Sequence, residues 1–310
     1  MGLLIKGFTK IARAILPRKF FNKVKAIKQK KQNERFLRKL TTQVIKYHKD
    51  SNDNEIIEVL DFLKNNPISV FPYNYIYKYK KENINVEQDD KLGLKYVMHE
   101  NKKMYFKRSM SINAIKGLYR GLLIDQDKES PHVYLTNQFS LTNNDVIADI
   151  GAAEGNFSLS NIEVVKKAYL FESDPEWVEA LQATFEPWAD KVKIVNLFVT
   201  NYDSDSTISM STFYKNHSDI NFFKVDIEGE EQNFLNACIP VFKTNLNIRL
   251  AICTYHKHSD EIDFTKQLES LNFNVQHSKR YMLYFYDKTI RPPYLRRGLL
   301  RASKTNTDVG

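Results

Sequence analysis

The sequence predicts an α/β protein built on a doubly wound, Rossmann-like parallel sheet. From Asn144 onward, short apolar runs alternate with helical patterns, and continuous apolar strands between helices are typical of a parallel sheet buried on both faces. A glycine turn follows the first of these strands, where such sheets bind nucleotide-like ligands. With 310 residues, 42% of them hydrophobic, the chain can form one large domain with a smaller appendage, or two domains.

The hydrophobic periodicity predicts the order of elements. Before the sheet we expect a helix over 54–64, strands or hairpins over 73–107 with turns at Asp89-Asp90 and Glu100-Asn101, and a helix capped by Ser111. The strands of the sheet are expected at 146–150, 168–171, 192–199, 222–227, 248–254 and 281–286. Helices should separate them, and the run 281–286 should close the sheet.

Positive charge is concentrated at the start of the chain. Residues 1–49 contain 15 Lys and Arg against one acid, Glu34, which leaves 31 basic and 36 acidic residues in the remainder. The body therefore has a net charge of −5, whereas a catalytic domain that binds nucleic acid would usually be basic itself. We accordingly expect no nucleic acid among the partners.

The basic segment shows the hydrophobic spacing of helices over 3–16 and 18–48, separated at Pro17. Two interpretations fit: peripheral contact of residues 1–48 with an anionic membrane, or a solvated or partner-binding helix. No apolar run reaches the ~20 residues needed to span a bilayer. Cys238 and Cys253 lack disulfide or metal spacing and indicate free thiols in a reducing compartment. We therefore expect a cytoplasmic protein, either free or at the inner face of the membrane.

The chain is expected to fall into four segments. These are a basic amphipathic helical arm (1–49), an N-terminal α+β extension (50–125), the doubly wound domain (126–290) and a basic tail (291–310). The doubly wound domain should carry the functional site, because ligands bind at the carboxyl ends of the strands in such sheets.

A glycine turn follows the strand 146–150, and Glu172 follows the next strand. Glycines at 151 and 155 let the backbone approach a ligand closely. A carboxylate at position 172 can accept hydrogen bonds from both hydroxyls of a ribose. The residues expected to bind this ligand are Asp149, Gly151, Ala152, Glu154, Gly155, Asn156, Phe157, Glu172, Ser173 and Asp226.

The acids of this turn distinguish between two cofactors. A dinucleotide requires Gly-x-Gly-x-x-Gly to wrap its pyrophosphate, but the spacing here is Gly-x-x-x-Gly. Asp149 and Glu154 would repel a pyrophosphate and attract the ammonium and sulfonium groups of S-adenosylmethionine. We therefore predict S-adenosylmethionine as the cofactor. The alternatives are a nicotinamide-dependent oxidoreductase and a turn that binds no ligand.

The same residues resemble the FkbM family of methyltransferases. The resemblance rests on the turn 149–156, on Phe171-Glu172 and, most specifically, on the run from Lys224 to Glu231, and it covers about residues 126–257. The segment Gln126-Asp127 with Ser130-Pro131-His132 resembles a bacterial branch of the family. The resemblance implies a seven-stranded class I methyltransferase sheet and methyl transfer to a hydroxyl group of a sugar or natural product.

Candidate catalytic groups follow the later strands. Lys224 and Asp226 alternate along the strand 222–227 and so face the same side of the sheet. A hydroxyl acceptor needs a group to take its proton, and we predict His256 as this base. Asp226 should contact the methionine moiety or the acceptor. Lys224 should either neutralise Asp226 or bind an anionic substrate. The alternative for both residues is a purely structural ion pair. Glu230 and Glu231 should only stabilise a helix start.

Two further alternatives concern a metal and the function as a whole. A divalent metal could be held by His256, His258, Asp226 and Glu228. The predicted function is S-adenosylmethionine-dependent O-methylation of a sugar or glycan acceptor, in a bacterial surface glycan or its precursor. The alternative is a non-catalytic scaffold that retains the methyltransferase fold and docks to membrane or glycosyltransferase partners.

Overall fold

The computed structural model describes residues 18–304, with side chains from Ala26 onward. The helix predicted over 3–16 lies outside these residues. The chain forms two compact units, Met1–Ser69 and Val70–Gly310. The first unit contains the helices α1 (Arg18–His48) and α2 (Asn54–Asn65), which confirm the helical spans predicted over 18–48 and 54–64.

In the first unit, α1 packs on α2. Leu40 and Val44 of α1 are one helical turn apart and both are buried. Asp53 caps α2, because its side chain accepts hydrogen bonds from the N–H groups of Glu55 and Ile56. Within residues 18–304, no helix is both long enough and apolar enough to pass through a bilayer.

The second unit contains a small antiparallel sheet, one helix and a large α/β sheet. The small sheet and helix are β1 (Glu87–Gln88), β2 (Lys95–His99), β3 (Lys102–Phe106) and α3 (Ile112–Asp125). The elements that follow are β4 (Val146–Ile150), α4 (Asn156–Asn161), β5 (Lys167–Phe171), α5 (Pro175–Phe185), β6 (Val192–Val195), β7 (Phe198–Thr200), β8 (Thr207–Ser209), α6 (Met210–Asn216), β9 (Phe222–Val225), α7 (Glu231–Thr244), β10 (Ile248–Cys253), α8 (Asp260–Ser270), β11 (Asn274–His277) and β12 (Leu299–Lys304).

The seven strands of the large sheet lie in the order β11-β12-β10-β9-β4-β5-β6. Strands β4, β5, β6, β9 and β10 are parallel, and β12 is antiparallel to both of its neighbours. This arrangement confirms the doubly wound α/β fold. The strand order reverses between β4 and β9, and a crevice forms at the carboxyl ends of strands where the order reverses.

The central strands are buried on both faces, as continuous apolar runs predict. All residues of β4 and of β9 are buried. Neighbouring residues of β9 serve opposite faces: Phe223 packs near Phe234 and Phe242, whereas Phe222 stacks on Phe157. The large aromatic side chains thereby anchor helices to both sides of the strand that leads into Asp226.

The strand that closes the sheet is β12, so the prediction of a closing strand over 281–286 is wrong. The prediction of a basic tail over 291–310 is also wrong for the residues that the structure describes, because residues 299–304 form a buried strand. Arg296, Arg301 and Lys304 are all buried. Burial is tolerated because their N–H groups donate to backbone carbonyls, those of Tyr255, Tyr134 and Phe242.

The boundary between the units also differs from the predicted ones at 49/50 and 125/126. The small sheet and α3 belong to the same compact unit as the large sheet. In one direct link, the N–H of Tyr105 in β3 donates to Oγ1 of Thr184 in α5 at 3.0 Å. Residues 74–78, expected as strand, form a 3-10 turn, while the predicted turn at Glu100-Asn101 joins β2 to β3.

Candidate active site

The glycine turn after β4 is shaped by close backbone packing. Gly151 has a φ of 75°, and a Cβ atom there would lie 2.0 Å from the carbonyl oxygen of Asp226. Gly155 has a φ of 76° and precedes α4, where a Cβ atom would lie 2.7 Å from the side chain of Leu181. Because an added Cβ fits neither the conformation nor the space, both positions require glycine.

Glu172, at the end of β5, holds this turn through its carboxylate. One oxygen accepts a hydrogen bond from the N–H of Ala153 at 3.0 Å, and the other accepts one from the N–H of Asp174 at 2.8 Å. Each carboxylate oxygen has further acceptor capacity. Glu172 also lines the cleft described below, so it can accept additional hydrogen bonds from a ligand there.

Lys224 and Asp149 form a buried ion pair beneath the turn. Nζ of Lys224 lies 3.0 Å from Oδ1 of Asp149 and donates to the carbonyl oxygen of Gly151 at 2.7 Å. Ser158 donates to the other oxygen of Asp149. Burial acts to lower the pKa of Lys224, but Asp149 and Asp226 outweigh burial and the pKa is raised. Lys224 is thus paired with Asp149 rather than with Asp226, and this ion pair braces the turn.

A cleft of about 730 Å³ opens at the carboxyl ends of β4, β5 and β9. The predicted ligand-binding residues that line it are Gly151, Ala152, Glu154, Asn156, Glu172, Ser173 and Asp226. Three others lie beneath its surface: Asp149 in its ion pair, Gly155 against α5, and Phe157 in the core. Of the two other predicted catalytic residues, Lys224 lines the cleft and His256 lies outside its lining.

Acidic side chains dominate the cleft. The carboxyl groups in its lining are those of Asp125, Glu154, Glu172, Asp226 and Glu228. Among the described residues that line it, the one Lys or Arg is Lys224, which is already paired. Burial raises the pKa of Glu154 to about 7 and holds the pKa of Asp125 well above its ordinary value. The cleft therefore favours a cation over an anion.

Asp226 is the centre of the polar contacts on the cleft floor. Tyr134 donates to its Oδ2 at 3.0 Å, and Tyr255 donates to its Oδ1 at 3.3 Å. Burial acts to raise the pKa of Asp226. The basic groups around it outweigh burial and hold this pKa below its ordinary value; they are His132, Lys224 and His256. Asp226 is therefore an ionised carboxylate at neutral pH, oriented by two phenol groups.

Two histidines flank Asp226. Nε2 of His132 lies 3.7 Å from Oδ2, and Nε2 of His256 lies 3.7 Å from Oδ1. Burial lowers the pKa of His132 to about 4, so its ring is neutral at neutral pH. Burial also acts to lower the pKa of His256, but the carboxylates around it, of which Glu231 has the largest effect, outweigh burial and raise it.

Glu231 is a site residue that the sequence pattern did not reveal. It is fully buried, and its Oε1 lies 3.0 Å from Nδ1 of His256. The same oxygen accepts hydrogen bonds from the N–H groups of Ile227 and Gly229. Besides beginning α7, Glu231 therefore fixes both the loop after Asp226 and the imidazole beside it.

The predicted set of metal ligands does not assemble. Among the described residues, two groups have ligand atoms close enough for one ion: Asp226, Glu231 and His256, and His132, Asp226 and Cys253. Neither group contains His258 or Glu228. In the first, Oε1 of Glu231 lies 3.0 Å from Nδ1 of His256 and Oδ1 of Asp226 lies 3.7 Å from Nε2, as does Oε2 of Glu228 from outside the group. Contacts at both ring nitrogens match an imidazole between two carboxylates better than one shared ion, so this geometry gives a divalent metal no support.

His132 and Tyr134 also escape prediction, because they belong to a polar segment without strand or helix periodicity. Asp125, the last residue of α3, escapes prediction as well. Gln126 folds this segment back: its side chain donates to the carbonyl of His132 and accepts from the N–H of Tyr134. The signal that pointed to this segment was its resemblance to one branch of the family. Contacts between residues more than 90 positions apart, such as Tyr134 with Asp226, have no local signature.

Solved structures similar to this chain include proteins named as methyltransferases. One is methyltransferase FkbM from Methylobacillus flagellatus KT, with 14% identity, a TM-score of 0.41, and coverage of 62% of this chain and 53% of that chain. Another is an rRNA methylase from Streptococcus thermophilus, with 13% identity, a TM-score of 0.37, and coverage of 53% and 89%. A third is a putative methyltransferase from Streptococcus mutans in complex with SAH, with 17% identity, a TM-score of 0.37, and coverage of 53% and 90%.

The match to the first of these structures spans about half of that protein's length. No family model matches the chain, and no curated protein sequence matches it either.

Proposed function

We propose that this protein is an S-adenosylmethionine-dependent O-methyltransferase that acts on a hydroxyl group of a sugar, in a glycan or its precursor. The observation that carries the proposal is the acidic cleft at the point where the strand order reverses. The glycine turn, Glu172 and Asp226 all line this cleft.

The donor groups of the cleft fit S-adenosylmethionine better than a dinucleotide. Glu172 has free acceptor capacity for ribose hydroxyls, and Glu154 and Asp226 offer carboxyl groups to a cation. A pyrophosphate would face these acids without a free Lys or Arg among the described residues of the lining, because Lys224 is paired with Asp149. Gly151, Ala152 and Asn156 would hold the cofactor at the turn, and Ser173 would lie beside Glu172.

Asp226 is the group best placed to take the proton of the acceptor hydroxyl. When bound, S-adenosylmethionine supplies an electrophilic methyl group. As the hydroxyl oxygen bonded to that carbon, the carbon–sulfur bond would break, its electron pair would neutralise the sulfonium, and S-adenosylhomocysteine would leave. The hydroxyl proton would move to the Asp226 carboxylate, from which solvent in the cleft can remove it. Tyr134 and Tyr255 orient the carboxylate. His256 lies behind Asp226, so we assign it a positioning role in place of the general-base role predicted from sequence.

Another part of the cleft lining has the properties of a binding site for a sugar ring. This part includes the aromatic side chains of Phe71, Tyr284 and Tyr286, and Tyr286 is 68% exposed at the cleft mouth. Aromatic rings offer flat apolar faces, and tyrosine adds a hydroxyl for hydrogen bonding. Gly117 and Gly121 lie on one face of α3 and line the cleft. Because they have no side chains they leave space for a ligand, and a Cβ at Gly121 would meet no atom within 4 Å. These features support a ring-shaped polar acceptor of the carbohydrate class.

Calorimetric titration of the full chain with S-adenosylmethionine, S-adenosylhomocysteine and NAD tests the proposal. We expect binding of the first two and none of NAD. Glu172→Ala should weaken S-adenosylmethionine binding by on the order of 2–3 kcal/mol, the contribution of hydrogen bonds to a charged group. Glu176→Ala, at the start of α5 and outside the lining of the cleft, is the matched control and should bind normally. Tight NAD binding, or unchanged affinity in Glu172→Ala, would refute the cofactor assignment.

A further inference from the structure

The exposed face of α1 carries a stripe of positive charge. Between Ala26 and His48 the helix has seven Lys and Arg residues, and at 3.6 residues per turn six of them fall within about 100° around the helix axis. We call these six the basic stripe: Lys28, Lys31, Arg35, Arg38, Lys39 and Lys46. All six are exposed, and Lys30 is the one that falls outside the stripe.

The basic stripe lies on the side of α1 opposite its packed side. Leu40 and Val44 are buried. Viewed along the helix axis, the direction midway between these two residues is on the order of 170° away from the centre of the stripe. Packing on α2 therefore fixes the rotation of the helix so that the stripe points away from α2. Glu34, the one acid in α1, falls outside the stripe. Within the part of the chain that the structure describes, no ion pair neutralises any of the six.

We propose that the basic stripe docks this protein on a lipid membrane with an anionic surface, with α1 lying parallel to the bilayer. The stripe spans about 27 Å along the helix axis from Lys28 to Lys46, so a flat surface can contact all six residues. Long Lys and Arg stems let the charged groups reach lipid phosphates. Ile27, at the edge of the stripe and 50% exposed, can enter the interface.

Nucleic acid is the other common polyanion, and the charge distribution disfavours it. Residues 50–310 carry a net charge of −5, whereas a protein that binds nucleic acid through its folded body usually has a basic one. A helix that reads a DNA groove is surrounded by the phosphates of both strands. In α1 one side is occupied by α2, which leaves a single charged face, and a plane matches that shape.

Sedimentation of the full chain with phosphatidylcholine vesicles, with and without phosphatidylglycerol, tests this docking surface. The stripe variant is Lys31→Glu, Arg35→Glu and Arg38→Glu combined. The matched control is Lys193→Glu, Lys243→Glu and Lys266→Glu combined, which makes the same change in net charge at exposed lysines of the second unit. A third variant replaces the same three stripe residues by Gln, in case reversed charge disturbs folding.

We expect wild type and control to bind phosphatidylglycerol vesicles equally, with affinity that falls as salt rises. Each Lys or Arg near such a surface strengthens binding roughly fivefold, so the Gln variant should bind on the order of 100-fold more weakly and the Glu variant more weakly still. Equal losses in control and stripe variants would overturn the proposal, because net charge alone would explain them. Wild-type binding independent of phosphatidylglycerol would also overturn it, as would stripe-dependent binding to an oligonucleotide without binding to vesicles.

Discussion

Oε1 of Glu231 lies 3.0 Å from Nδ1 of His256, and both side chains are buried. The other imidazole nitrogen faces Asp226 at 3.7 Å. One carboxylate at the start of α7 therefore sets the orientation and charge of a ring that in turn faces the central acid of the cleft. The first prediction concerns this contact.

Glu231→Gln should destabilise the protein in a pH-dependent way. The folded pKa of His256 is raised, so the stabilisation from its protonation is fully present below the unfolded pKa of about 6.5 and is lost as pH rises through the folded pKa. The variant should lose about 3 kcal/mol of unfolding free energy near neutral or mildly acidic pH, as for a broken buried ion pair, and less at alkaline pH. Urea unfolding across this range measures the difference. Glu230→Gln is the control, and an equal, pH-independent loss in both variants would contradict the prediction.

Asp226→Asn should abolish most of the proposed activity. The amide keeps the shape of the carboxylate but cannot accept the hydroxyl proton, so kcat should fall by on the order of 10²–10⁴-fold. Tyr134→Phe removes one of two phenol donors to Asp226 and should have a smaller effect. Release of S-adenosylhomocysteine in the presence of acceptor is the measurement. Near-normal turnover in Asp226→Asn would show that the proton goes to another group.

Glu154 should make S-adenosylmethionine binding depend on pH. Its pKa is raised to about 7 by burial, so the carboxyl gains its negative charge as pH rises through neutrality. A cation in the cleft favours that charged form, and affinity should rise roughly tenfold across the titration if the bound cation lowers the pKa by about one unit. Calorimetry of wild type and Glu154→Gln at several pH values tests this. The rise should vanish in the variant, and its persistence would point to another titrating group.

Gly151→Ala should disrupt the turn, whereas Gly121→Ala should not. An added Cβ at position 151 meets the Asp226 carbonyl oxygen at 2.0 Å with φ at 75°, whereas one at 121 in α3 meets nothing within 4 Å. We expect Gly151→Ala to lose more than about 2 kcal/mol of unfolding free energy. Gly121→Ala should gain about 0.5–1 kcal/mol, because alanine favours a helix interior. Denaturant unfolding of both variants measures this, and similar stabilities would contradict the model of the turn.

The part of the site that could be predicted from sequence is local to strand ends. Gly151, Glu172 and Asp226 each follow an apolar run, and the parallel sheet brings those ends together. The partner of Lys224 could not be predicted in the same way. Alternation places Lys224 and Asp226 on one side of their strand, which suggests Asp226 as the partner of Lys224. The actual partner is set by the pairing of the two strands, which puts Lys224 beside Asp149 of the neighbouring strand.

The misplaced closing strand has a related cause. Residues 281–286 are rich in aromatic side chains and resemble a strand, yet Tyr284 and Tyr286 line the cleft. The true strand β12 contains Arg301 and Lys304, which are typical of surface segments. Their burial depends on carbonyl acceptors contributed by Tyr134 and Phe242, residues distant in sequence, so hydrophobic periodicity could not reveal it.

Completion of the cleft depends on β12, the last strand within residues 18–304. Strand β11 has no neighbour in the large sheet other than β12, and Arg301 of β12 also holds the backbone of Tyr134, whose hydroxyl group contacts Asp226. The other strands of the described residues all precede residues 299–304 in the chain. A nascent or truncated chain that ends before Leu299 would therefore contain the glycine turn and Glu172 but lack the support behind Tyr134 and Asp226, so one part of the cleft can form before the other is complete.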